Sequence, residues 1–89
     1  MDEQVLPKEF GRRVRRRRMA LGMIQKALAE TTGFQSSQIS RLEKGEYVSM
    51  KFAQLVTLAD ALETSVDYLL GRDDDPGEVP DRLKYAVVE

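Results

Sequence analysis

Five of the six polar side chains in residues 35–41 are candidates for hydrogen bonds to the edges of nucleic-acid bases. Amides pair with adenine, hydroxyls donate or accept, and a guanidinium can hold guanine through two hydrogen bonds. A helix would bring most of them to one surface, opposite the apolar side chains of Ile39 and Leu42. Gln35 stands at the start of that helix, where it could reach a phosphate or a base. The predicted base-reading residues are Gln35, Ser36, Ser37, Gln38 and Arg41.

Two short helices joined by a tight turn would position these side chains. Within residues 25–32, the side chains that would share one face follow the i, i+3, i+4, i+7 spacing of a helix, which indicates the first helix. Gly33 can adopt a left-handed conformation at little steric cost and end it. The second helix would cover residues 36–44, with Ser36 or Ser37 as the capping residue.

The spacing Q-x-x-L-A-x-x-x-G-F-x-x-x-x-I-S-R-L-E-K-G covers this region. Its anchor residues are Gln25, Leu28, Ala29, Gly33, Ile39, Glu43 and Gly45. The pattern resembles the helix-turn-helix of phage repressor and Cro proteins, the XRE-like regulators, over about residues 10–71. The resemblance implies an all-α fold, a compact five-helix bundle of the lambda-repressor type with a short C-terminal tail. It also implies a DNA-binding transcriptional regulator, a repressor, that binds a palindromic operator as a homodimer with residues 36–44 in the major groove.

Two further expectations come from the same resemblance. An arginine of the first helix pairs in this family with the glutamate that ends the reading helix, which here predicts a partly buried Arg18–Glu43 ion pair. The family has Ser or Thr where this chain has Ile24, and Ile24 cannot cap a helix with a side-chain oxygen. The N–H groups at that helix start are then free to meet a phosphate, with Gln25 beside them.

Six arginines lie between residues 12 and 18. A solvated basic face is the ordinary explanation of such a run. A nuclear-type basic address or a membrane-surface helix is less favoured, since the apolar face of this helix is needed for the core. We predict instead that the run includes contacts to DNA phosphates. The candidates are Arg12, Arg13, Arg16 and Arg17.

Charge is unevenly distributed along the 89 residues. Residues 8–51 hold eleven basic and four acidic side chains, a net charge of +7, whereas residues 52–89 hold three basic and nine acidic ones, a net charge of −6. A basic half of this kind favours a polyanion as partner. Further phosphate contacts are predicted around the two helices, although Tyr47 could equally pack on its own loop. They are Lys26, Lys44, Tyr47 and Lys51.

The rest of the chain has the pattern of one small helical domain. We expect a loose N-terminal arm over residues 1–7, the domain over residues 8–71, and an acidic linker and tail over residues 72–89. Pro7 suits the first turn of a helix that would run to about Leu21.

A fourth and a fifth helix complete the predicted bundle. The apolar stripe of the fourth consists of Phe52, Leu55, Val56, Ala59 and Leu62. Ser65 would cap a fifth helix over residues 66–70, and Gly71 would close it. Three apolar residues either fill gaps in the core or contribute to a dimer surface: Leu58, Tyr68 and Leu70.

The last residues carry no predicted chemistry. Asp73, Asp74 and Asp75 are interpreted as a solvated linker and not as metal ligands, because no second ligand cluster follows. Residues 83–88 alternate in part between apolar and polar, which allows a short strand or a helical turn that docks on a partner.

Other classes of function fit the composition less well. The chain has no cysteine and no histidine, so a thiolate metal site and the commonest general base are both lacking, and no enzyme activity or cofactor is predicted. No apolar run reaches the ~20 residues of a membrane span, and we expect a cytoplasmic protein. The competing hypothesis is an antitoxin-type module whose acidic C-terminal half binds a protein; RNA binding by the arginine-rich helix is a weaker one.

Overall fold

Residues 3–77 are described by a computed structural model. Within them, five helices pack around one core, and two short strands lie beside it. The helices are α1 (Phe10–Ala20), α2 (Gln25–Thr32), α3 (Ser36–Glu43), α4 (Phe52–Ala61) and α5 (Val66–Leu69). The strands are β1 (Glu3–Val5) and β2 (Ser49–Lys51). The predicted helical bundle is therefore confirmed, and the strands add to it.

The core is formed by one apolar stripe from each helix. Val14, Leu28 and Ile39 are fully buried, and they bring α1, α2 and α3 to a common centre. Leu55 and Leu62 of the α4 region lie in the same cluster. Burial of a leucine or isoleucine side chain contributes roughly 1.5–3 kcal/mol, so packing and not helix propensity holds these short helices.

The α4 and α5 stripes differ in part from expectation. The sequence predicts Phe52 in the core, but this residue is the first of α4 and is 50% exposed. Leu58 and Tyr68 fill the core and are not free for a dimer surface, while Leu70 is partly buried against it. The Ser65 hydroxyl accepts a hydrogen bond from the backbone N–H of Tyr68 at 2.9 Å and caps α5 as predicted.

The N-terminal residues that the structure describes are not loose. β1 pairs antiparallel with β2, with Gln4 opposite Met50, and the Leu6 N–H extends the pairing to the Val48 carbonyl at 2.9 Å. Met50 on the inner side is 4% exposed, so the small sheet covers one edge of the core. The pairing fixes the segment that leads into α4.

Residues 72–77, which we call the strap, lie against the bundle, whereas the sequence analysis places the end of the domain at residue 71. The Arg13 guanidinium donates to the Asp73 carbonyl at 3.1 Å and to the Asp74 carboxylate at 3.0 Å. The Thr64 hydroxyl donates to the Pro76 carbonyl at 2.6 Å. The predicted tail element over residues 83–88 lies outside the described residues.

Candidate nucleic-acid interface

The turn between α2 and α3 sets the direction of α3. Gly33 ends α2 with φ 81° and ψ 4°, a left-handed conformation that costs a residue with a side chain more than it costs glycine. Gln35 then precedes the first turn of α3 in extended conformation, and its N–H donates to the Gln38 side-chain oxygen at 3.0 Å. Ser36 and Ser37 are thus the first residues of α3; the prediction that one of them caps it is wrong.

The face of α3 turned to solvent is polar, while its opposite face is anchored. Ile39 and Leu42 are 0% and 1% exposed, and they hold the helix against α1 and α2. Ser36, Ser37 and Arg41 are exposed. Two hydroxyls and a guanidinium on one outward surface can donate and accept hydrogen bonds without disturbing the core.

Arg41 has two partners in the loop that follows α3. Its Nε lies 3.2 Å from Oε1 of Glu46, and its Cζ lies 5.2 Å from the centre of the Tyr47 ring. Both side chains of the ion pair remain about half exposed. Tyr47 is thus partly buried against the core, and its ring lies beside Arg41 of α3.

Glu43, at the end of α3, joins three helices. Its carboxylate accepts from Arg18 at 2.6 and 3.0 Å, and from the Gln25 amide at 3.1 Å. Arg18 also donates to the Met23 carbonyl at 2.7 Å. The side chains of the ion pair are 11% and 4% exposed, so the predicted Arg18–Glu43 pair is present and largely buried. Gln25, predicted at a phosphate, has its amide nitrogen directed to Glu43 instead of outward.

Two of the four arginines predicted at phosphates are turned into the protein. Arg17 is 1% exposed, and it donates to the carbonyls of Leu62 at 2.8 Å and Glu63 at 2.9 Å, where α4 ends. Arg13 donates to the Tyr68 carbonyl at 2.9 Å, with Cζ 4.6 Å from the ring of the same residue. These contacts direct the guanidinium groups of Arg13 and Arg17 to carbonyl groups of the protein, away from the phosphate role that the sequence predicts.

The remaining arginines of α1 face outward. Arg12, Arg15 and Arg16 are exposed and line a shallow depression with Met19. Arg15 was not among the predicted contacts. It lies four residues after Gly11 and three before Arg18, and both of these meet the C-terminal end of α3. The helical period therefore places Arg15 nearer α3 than Arg12 or Arg16, a signal that the sequence already contained.

The predicted lysines are exposed at three different elements. Lys26 lies in the first turn of α2, Lys44 follows the last residue of α3, and Lys51 ends β2 directly before α4. Long ammonium side chains at such positions can reach a polyanion without a fixed geometry.

Within residues 3–77, no three histidine, cysteine, aspartate or glutamate side chains are grouped so that they could hold a metal ion. None of the helices in this part of the chain has the length and hydropathy of a membrane span.

Comparison with known proteins agrees with this geometry. A family model described as a helix-turn-helix domain matches residues 9–69. The crystal structure of the P22 c2 repressor protein in complex with the synthetic operator 9T, in the presence of Tl+, matches with a TM-score of 0.66 and 38% identity, over 72% of this chain and 96% of that one. The solution structure of the P22 c2 repressor DNA-binding domain matches with a TM-score of 0.67 and 33% identity, over 88% and 96%. The chain therefore belongs to the phage repressor-like family of helix-turn-helix domains.

Proposed function

We propose that this protein is a sequence-specific DNA-binding transcriptional regulator, a repressor without catalytic activity of its own. The observation that carries the proposal is the exposed surface of α3, where Ser36, Ser37 and Arg41 face solvent on a helix fixed from behind. The P22 c2 repressor, 38% identical, has been crystallised on an operator. That identity supports double-stranded DNA as the ligand here.

In the proposed complex, α3 lies in the major groove and its side chains read bases. Arg41 can hold guanine through two hydrogen bonds, and the serine hydroxyls can serve several bases. Gln38 shares its side-chain oxygen with the Gln35 N–H, so its amide N–H group is the part left to meet a base. Gln35, just before α3, is exposed and completes the reading surface.

Contacts to phosphate would supply much of the affinity and orient the domain. The exposed cations around α3 are the proposed donors: Arg12, Arg15, Arg16, Lys26, Lys44 and Lys51. The Tyr47 hydroxyl is a further candidate. At the α2 N-terminus, Ile24 supplies no side-chain cap, so its backbone N–H groups, more than the Gln25 amide, are proposed to face a phosphate.

We further propose that two copies bind a palindromic operator. A two-fold axis would place the α3 helices about 34 Å apart, one turn of DNA, so that each reads one half-site. The test is the mass of the complex in sedimentation: two protomers on the full operator and one on a half-site support the dimer. One protomer on a full palindromic site would contradict it.

Binding to DNA is tested by selection from a random duplex library, followed by titration of a selected duplex and a scrambled one. We expect tighter binding to the selected duplex and a steep loss of affinity between about 50 and 200 mM salt. Arg41→Ala should reduce the difference between the duplexes, whereas Lys44→Ala should weaken both about equally. Recovery of no preferred sequence, with equal weak binding to all duplexes, would refute the proposal and favour a protein partner.

A further inference from the structure

The loop after α3 places the Glu46 carboxylate beside Arg41, the side chain proposed to read guanine. Gly45 has φ 79°, and the N–H groups of Gly45 and Glu46 donate to the carbonyls of Leu42 at 3.1 Å and Arg41 at 3.0 Å. These two bonds are those of a glycine-terminated helix end, which fixes the residue after the glycine beside the third-last position of the helix. Here those two residues are Glu46 and Arg41.

The side-chain contacts restrict the Arg41 guanidinium in two ways. Glu46 accepts from Nε at 3.2 Å, which occupies the inner side of the group. The Tyr47 ring lies at 5.2 Å from Cζ and supports one face. The outer edge, formed by Nη1 and Nη2, is then the one left for the N7 and O6 acceptors of guanine.

The same contacts alter the charge of the reading surface. Glu46 offsets the positive charge of Arg41, so this guanidinium attracts phosphate less than an unpaired one. A base has no net charge, and a hydrogen bond to guanine is not weakened in the same way. The Glu46 charge therefore lowers the affinity for DNA in general, and this effect is separate from the placement of the Arg41 guanidinium.

We propose that Glu46 and Tyr47 are positioning residues that set the preference of Arg41 for guanine. The inference rests on the proposed function, because it requires α3 to read DNA. It goes beyond that function by assigning a role in sequence choice to two residues of the loop outside α3, one of which carries a charge that DNA would repel.

The experiment first locates the base pair that Arg41 reads. Duplex selection with the wild type gives the operator, and Kd is then measured for all four bases at each position. The position concerned is the one where Arg41→Ala abolishes a guanine preference, a loss of about 5- to 150-fold. Glu46→Ala should reduce the preference there by about two- to fivefold, the range of an exposed ion pair.

Conservative variants separate position from charge. Glu46→Gln keeps an oxygen that accepts from Nε, so the guanine preference should persist while all duplexes bind more tightly. Glu30→Gln removes the same charge from an exposed site of α2 and serves as the matched control. It should leave the preference unchanged. Tyr47→Phe should also preserve it, and Tyr47→Ala should lower it.

Two results would overturn the inference and leave the proposed function intact. A guanine preference that is unchanged in Glu46→Ala, although Arg41→Ala abolishes it, would show that the loop does not position the reader, and the proposed function would stand. An equal loss in Glu46→Gln and Glu46→Ala would show that charge alone acts. Failure of selection to yield any operator would instead refute the proposed function, and the inference with it. Thermal unfolding of each variant confirms that the domain is folded.

Discussion

The two flanks of α1 are held by opposite means. Toward α3, the helix has no side chain at Gly11, where a Cβ would overlap the Leu42 carbonyl oxygen. On the same flank, Arg18 forms an ion pair with the Glu43 carboxylate. Toward α4, α5 and the strap, it extends the long side chains of Arg13 and Arg17 to backbone carbonyls. The flank toward α3 is in direct backbone contact, and we call it the stiff flank. The flank toward α4, α5 and the strap is joined through long side chains, and we call it the bridged flank.

The two kinds of contact differ in how tightly they fix the position of the neighbouring helix relative to α1. A backbone contact allows almost no displacement, so α3 is fixed relative to α1 within the tolerance of van der Waals packing. A guanidinium on a flexible stem can adjust to small shifts of its partners. The helix proposed to read DNA therefore lies on the stiffer flank. Variants on the two flanks should differ in which kind of change they tolerate.

The largest effect is expected at the ion pair. Arg18→Ala leaves the Glu43 carboxylate, 4% exposed, without its main partner, and should lower the free energy of unfolding by about 3–5 kcal/mol. Urea denaturation measures it. Replacing both residues by methionine should recover part of the loss, since no charge is then buried unpaired. A loss below about 1 kcal/mol in Arg18→Ala would place this pair among ordinary surface pairs.

On the bridged flank, truncation of Arg17 should be costly, whereas the loss of its hydrogen bonds alone should cost less. Arg17→Ala removes hydrogen bonds to the Leu62 and Glu63 carbonyls and leaves a void, and should cost about 2–4 kcal/mol. Arg17→Met keeps much of the stem and loses the donors, so it should cost clearly less. Equal losses in the two variants, measured by denaturation, would assign the whole effect to the hydrogen bonds and none to packing.

Much of the fold follows from local signals in the sequence. The apolar side chains of α2, α3 and α4 and the glycines after α2 and α5 predicted these helices, since such signals act within one or two turns. The strands could not be found in this way. β1 has three residues, too few for an alternating pattern, and it forms because a loop distant in sequence pairs with it.

The polar, exposed surface of α3 was predictable from the sequence, but the directions of several other side chains were less so. The exposed polar face of α3 follows from the helical period. Arg17 is the clearest example. Its spacing from Val14 and Leu21 places it in the apolar stripe, whereas its charge favours an exposed position. The carbonyls at the end of α4 that satisfy it are 45 residues away, and no local pattern reveals them.

A smaller effect is expected from adding one methyl group to the stiff flank. Gly11→Ala would raise helix propensity in an open helix, but here the Cβ meets the backbone of Leu42 and Glu43. We expect a loss of about 1–3 kcal/mol in the free energy of unfolding, because backbone atoms must move to make room. Stabilisation by Gly11→Ala would disprove the close contact.

The smallest change in stability is expected from the outward arginines, and their variants also test from which side DNA approaches α1. Arg15→Ala and Arg16→Ala each remove one exposed cation and should alter the free energy of unfolding by less than about 0.5 kcal/mol. Arg15 shares the α3 flank with Gly11 and Arg18, so its loss should weaken binding to all duplexes and lower the salt slope by about one phosphate. Arg16, one residue further round the helix, should have the smaller effect. A larger loss of affinity in Arg16→Ala would mean that DNA approaches the open face of α1, and that the stiff flank does not border the DNA.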